Sequence, residues 1–109
     1  MKRPLPLAAA ALLLPAATAA LAGQGMPTPT DGKALFREKC AMCHGPNGMG
    51  TGLLDRRVQP ALLEERTDLT ADYVIQAART GIGNMPAIPR GEASDAQLKA
   101  IADYLGRGK

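Results

Sequence analysis

The chain reads as all-α, on three observations. No stretch alternates apolar and polar residues at period two. Capping residues and glycine stops bracket the segments with helical spacing, as Thr70 and Gly81 do, and Ser94 and Gly106. Near the C-terminal end Leu98, Ile101, Ala102 and Leu105 recur at i, i+3, i+4 and i+7, which lays one apolar stripe along a helix. A length of 109 residues allows one domain.

The first 22 residues are expected to lie outside that domain. Lys2 and Arg3 are followed by an apolar run over residues 7–14 and then by small residues up to Ala20-Leu21-Ala22. This is the layout of a secretory signal peptide with an A-x-A site, predicting cleavage after Ala22; Ala17-Thr18-Ala19 offers a second site. A retained membrane anchor is the alternative. A spanning helix needs about 20 strongly apolar residues, whereas this run is short, rich in alanine and interrupted by Pro6 and Pro15. The expectation is therefore a periplasmic protein with no membrane association after cleavage. Loss of Lys2 and Arg3 takes the basic count from 13 to 11 against 10 acids, and the net charge from +3 to +1. A nucleic-acid binder needs a concentrated basic face with aromatics; mixed charges and 3% aromatics exclude that class.

Residues 23–29 read as a flexible lead-in to a domain over residues 30–109. Thr30 or Asp31 can N-cap a helix running to about Lys39, in which Gly32 and Phe36 share a face. Residues 45–52 hold four glycines and a proline and are expected to be loop. A short helix is expected over 60–66, with Pro60 early in it. Thr70 caps a helix to about Thr80, stopped by Gly81. A second loop comes next over 81–93, and Ser94 with Gln97 has the spacing of a capping box for the last helix. One Phe, two Tyr and no Trp provide little bulk for the core of a small domain, a hint that a cofactor contributes some.

Cys40-Ala41-Met42-Cys43-His44 is C-x-x-C-H, the attachment sequence of c-type haem. Two thiols at this spacing can add to the vinyl groups on one edge of the macrocycle, and the histidine directly after them is brought under the ring to ligate iron. A disulfide or thioredoxin-like pair also uses C-x-x-C, but the βαβ pattern that accompanies the latter is missing. A zinc site needs four ligands, and with two Cys and one His in the chain only a carboxylate can complete one. For the second axial position there are five methionines. Met1 and Met26 lie in the leader and lead-in, and Met42 and Met49 sit too close to His44 to cross the ring. Met85 remains, in a loop whose glycines let backbone approach the ring and where Pro86 favours an extended Met85.

These residues resemble the class I cytochromes c over residues 30–106. Three segments carry the resemblance: Gly32 and Phe36 with Cys40-to-His44, the methionine loop 81–86, and the last helix from Ser94. It implies three to five helices wrapped around one covalent haem c, with the first and last crossing so that Gly32 and Phe36 pack against Tyr104. It also implies a proline carbonyl accepting from the second ring nitrogen of the histidine. Pro60 is the best match, at a longer spacing than in the smallest members. More narrowly, Asn84-Met85-Pro86-Ala87-Ile88-Pro89 and the acidic start of the last helix are similar to small cytochromes serving periplasmic dehydrogenases, such as the p-cresol methylhydroxylase type.

His/Met ligation leaves no open position on iron, which points to electron transfer and away from catalysis. The expected partners are a dehydrogenase as donor and a terminal oxidase or another cytochrome as acceptor. Two other readings stay open: a cytochrome subunit held tightly by a flavin- or quinone-dependent dehydrogenase, and a haem enzyme or gas sensor in which Met85 does not bind. Ile82, Ala87 and Ile88 form either a contact patch or helix-packing core. Arg56 and Arg57 either pair with haem propionates or are solvated, Asn84 either bonds near the Met85 sulfur or serves the turn, and Tyr73 is expected in the core.

Overall fold

The computed structural model describes residues 2–6, 10–12 and 30–107. The cleavage sites expected in the leader and the lead-in over 23–29 lie outside the described residues. Residues 2–6 and 10–12 are exposed and carry no regular secondary structure. Among the described residues no helix is long and apolar enough to cross a membrane.

Among the described residues five α-helices and one 3-10 turn run in order: α1 (Gly32–Lys39), α2 (Ala41–His44), α3 (Met49–Leu54), the 3-10 turn Leu63–Glu65, α4 (Ala71–Thr80) and α5 (Asp95–Leu105). The caps expected from the sequence are made. Asp31 accepts from the Ala34 N–H at 3.3 Å, and Thr70 Oγ1 accepts from the Tyr73 N–H at 3.2 Å. Ser94 and Gln97 form the reciprocal capping box at 3.0 and 3.1 Å.

The core forms where α1 crosses α5. A Cβ on Gly32 would stand 2.1 Å from the Ala100 carbonyl oxygen and 2.7 Å from Tyr104 Cβ, so only glycine permits the two backbones to come this close. One turn on, the Phe36 ring meets that of Tyr104 with centroids 6.2 Å apart and planes tilted by 50°, an arrangement favoured by the ring quadrupoles. Leu35, Leu69, Ile101 and Leu105 complete the buried cluster around Phe36. At the far end of α5 the Tyr104 hydroxyl donates to the Glu64 carboxylate, and the Arg107 guanidinium lies 4.2 Å from the Tyr104 ring centroid. These contacts tie the 3-10 turn to α5.

Three expectations need correction. The glycine-rich segment is not all loop, because its second half is α3. Glycine weakens a helix by up to about 1 kcal/mol per residue relative to alanine, and here close packing overrides that preference. A Cβ at Gly48 would stand 2.2 Å from the Cys43 carbonyl oxygen and one at Gly50 2.8 Å from it. The buried Thr51 hydroxyl donates to the Gly45 carbonyl at 2.7 Å and closes the segment on itself. The helix expected over 60–66 shrinks to a single 3-10 turn, since Leu62 is extended and no side chain caps the turn. Tyr73 is not core: 52% of it is exposed, and it borders a cavity instead.

Candidate functional site

Cys40 ends α1 and starts α2, so the C-x-x-C-H residues form a tight turn fixed to the α1 end of the core. The His44 N–H donates to the Cys40 carbonyl at 2.9 Å, and the Cys40 N–H donates to the Phe36 carbonyl at 2.8 Å. Both cysteines are free thiols. Burial pushes the Cys40 thiol above its usual value, opposed in part by the charge on Lys39. Burial also holds His44 below the ordinary histidine value and favours the neutral imidazole with a lone pair to offer.

Met85 reaches the site on a two-bond turn. The Ile82 N–H donates to the Met85 carbonyl at 3.1 Å and the Met85 N–H to the Ile82 carbonyl at 2.9 Å, with Gly83 at positive φ between them. Gly81, at φ 77°, ends α4 and turns the chain into this loop. Asn84 thus sits in the turn and also borders the cavity.

Two segments remote in sequence therefore border the same space. A cavity of about 460 Å³ is lined by Cys40, Cys43 and His44 from one segment and by Ile82, Gly83, Asn84 and Met85 from the other. That volume falls among pockets that take a small organic ligand. Its apolar walls come from Leu53, Leu63, Leu69, Val74, Leu98 and Ile101, with Phe36 and Leu105 from the helix crossing. Arg56 and Arg57 also line it, both exposed and neither in an ion pair among the described residues. Arg66 lines it as well and is held bidentately by Asp68 at 2.7 and 2.9 Å.

Pro60 does not join this set. It is exposed, it does not line the cavity, and His44 Nδ1 is buried without a hydrogen-bond partner. The carbonyl bond implied by the resemblance is therefore not made. Pro60 comes after a turn in which the Gln59 amide donates to the Asp55 carbonyl at 3.0 Å and to its carboxylate at 2.6 Å, and this turn fixes the path of the segment. Ile82 is half exposed at the cavity, Ala87 is exposed and Ile88 partly buried, so this segment is not packed as core.

Met49, Leu53 and Arg66 line the cavity without having been expected there from the sequence. For α4 a signal existed: Tyr73, Val74, Ala77 and Ala78 lie at i, i+1, i+4 and i+5, one helix face, and all four border the cavity. No His, Cys, Asp or Glu side chains among the described residues gather in threes to hold a metal ion, which leaves the zinc reading without its ligands.

The family described as cytochrome C oxidase, cbb3-type, subunit III matches residues 27–105. The chain belongs to that family. It is a small c-type cytochrome, and its cofactor is haem c. No curated protein matches this cytochrome. Among solved structures it is similar to a chain in the crystal structure of p-cresol methylhydroxylase with substrate bound. There the identity is 32% and the TM-score 0.51, covering 71% of this chain and 90% of that one. The p-cresol methylhydroxylase structure at 2.5 Å resolution gives the same identity and TM-score, covering 71% and 92%.

The residues present fit the cofactor. Two free thiols, an imidazole that burial holds neutral and a thioether border one apolar space. The function of this cytochrome is electron transfer.

Proposed function

We propose that this cytochrome is a periplasmic one-electron carrier in which Cys40 and Cys43 hold haem c by thioether bonds and His44 and Met85 supply its two axial ligands. The supporting observation is the shared cavity: the C-x-x-C-H turn and the Met85 turn, remote in sequence, line it together. When bound, haem c supplies a one-electron iron couple. The Cys40–His44 turn, anchored on Phe36, fixes the imidazole, and the paired bonds between Ile82 and Met85 present the sulfur. The leucine, valine and isoleucine side chains that line the cavity would surround the ring with apolar contacts and, with thioether ligation, would favour the reduced state and a high potential. Arg56 and Arg57 stand where they can receive the acid groups of the ligand. With His44 and Met85 both bound to the iron, no position there would remain for a substrate, and the protein would act as an electron carrier.

The donor in this reading is a periplasmic dehydrogenase, supported by the likeness to a chain of p-cresol methylhydroxylase. The acceptor is a terminal oxidase or another cytochrome. The same likeness supports a second reading, a cytochrome subunit held by its flavin- or quinone-dependent dehydrogenase. Osmotic shock of the native host, followed by native electrophoresis with haem staining and N-terminal sequencing of the haem band, tests both. A carrier is released by the shock, begins at Gly23, and migrates in the native host as a small haem species. Haem found only in a large flavin- or quinone-containing band would favour the subunit, and haem retained in the cytoplasm would overturn the periplasmic assignment.

A further inference from the structure

The Met85 loop is fastened to the body of the protein at a point three residues beyond the methionine. The Ile88 N–H donates to the Ala78 carbonyl at 2.7 Å, and Arg79, one residue further along α4, donates to the Ile88 carbonyl at 3.0 Å. The same guanidinium donates to the Asp95 carboxylate at 2.8 Å. Asp95 is the first residue of α5, where the helix dipole favours a negative charge. Arg79 thus holds three elements at once: its own helix, the loop after Met85 and the start of α5. Its side chain is only 16% exposed, whereas Arg90, which approaches the same carboxylate at 3.1 Å, is 72% exposed.

We infer that Arg79, oriented by Asp95, is a positioning residue that keeps Met85 on the cavity by anchoring the loop at Ile88. Arg79 does not line the cavity itself and acts through the Ile88 carbonyl. Between this anchor and the Ile82–Met85 turn, the loop is tied on both sides of the sulfur, which restricts how far Met85 can swing away. Without the guanidinium, the Ile88 N–H bond to Ala78 remains but the carbonyl side is free, and excursions of Met85 become more frequent. The inference rests on the assignment of Met85 as an axial ligand.

The test is imidazole binding to the oxidised, haem-loaded full-length protein at neutral pH, read as loss of the far-red absorption of the sulfur–iron bond. Imidazole can bind only when Met85 has left, so its affinity reports how well Met85 is held. Arg79→Met keeps the apolar stem and removes both bonds; imidazole should bind about tenfold more tightly, the scale of hydrogen bonds to a charged group. Asp95→Asn should move affinity the same way by less, and Arg79→Lys should fall between Arg79→Met and the parent. Arg90→Ala and Tyr104→Phe, which disturb the outer face of Asp95 and the far end of α5, should bind imidazole as the parent does even where thermal stability drops. Parent-like affinity in Arg79→Met, alongside tight binding in Met85→Ala, would overturn the inference and leave the ligand assignment intact. Equal affinity in the parent and Met85→Ala would overturn the ligand assignment itself. If Arg79→Met is not recovered, Asp95→Asn against Arg90→Ala decides the question by the same comparison.

Discussion

Valine in place of Gly32 should destabilise the fold more than any other single substitution considered. A Cβ at this position meets the Ala100 carbonyl oxygen at 2.1 Å and Tyr104 Cβ at 2.7 Å, and neither atom can swing aside because both belong to, or sit directly on, the α5 backbone. The helices must separate, and the damage then spreads to the ring pair of Phe36 with Tyr104 and to the Leu35–Ile101–Leu105 cluster. Overpacking alone costs about 1–3 kcal/mol. With part of the core opened as well, at least about 3–4 kcal/mol is expected, a large share of the roughly 5–15 kcal/mol that holds a domain together. Urea unfolding of Gly32→Ala and Gly32→Val, monitored by far-ultraviolet circular dichroism, should show a graded fall in midpoint. A Gly32→Val protein with the parent midpoint would contradict the crossing geometry.

The second large effect belongs to Met85. In Met85→Ala the domain core stays intact, because Met85 is only partly buried and belongs to no buried cluster. Stability should change modestly, whereas the redox properties should change strongly. On the proposed assignment, loss of the thioether removes a ligand that favours reduced iron. The midpoint potential should fall by a substantial part of the roughly 0.8 V over which axial ligands tune haem, measured by spectroelectrochemistry. Carbon monoxide should bind the reduced variant rapidly and the parent hardly at all. A parent that binds carbon monoxide readily at neutral pH would return the haem-enzyme or gas-sensor reading to the front.

Much of this is legible in the amino-acid sequence because the signals are local. Asp31, Thr70 and Ser94 with Gln97 cap their helices through bonds spanning three residues, so sequence spacing suffices to find them. C-x-x-C-H is equally local, and elimination leaves Met85 as the candidate that the fold brings to the same cavity. The departures share a different cause. Gly48 and Gly50 sit at and inside a helix start whose backbone packs tightly on Cys43, a tertiary requirement that composition cannot reveal. The apolar ring of Tyr73 suggests core, although its helix turns it toward the cavity. The bond between Pro60 and His44 is implied only by resemblance, across a spacing that matches poorly. The Arg79–Asp95 pair joins two ordinary charged residues 16 positions apart, and no periodicity announces it.

The proposed function rests on one covalent haem held by Cys40 and Cys43. The most direct measurement is the intact mass, with the denatured optical spectrum, of the protein expressed from its full sequence and matured in a host that attaches haem c. A mass equal to the polypeptide plus one haem, with colour that stays on the chain after acid–acetone extraction and disappears in the Cys40→Ala, Cys43→Ala double variant, is the predicted result. A colourless chain with the mass of polypeptide alone, or haem that extracts freely, would contradict it.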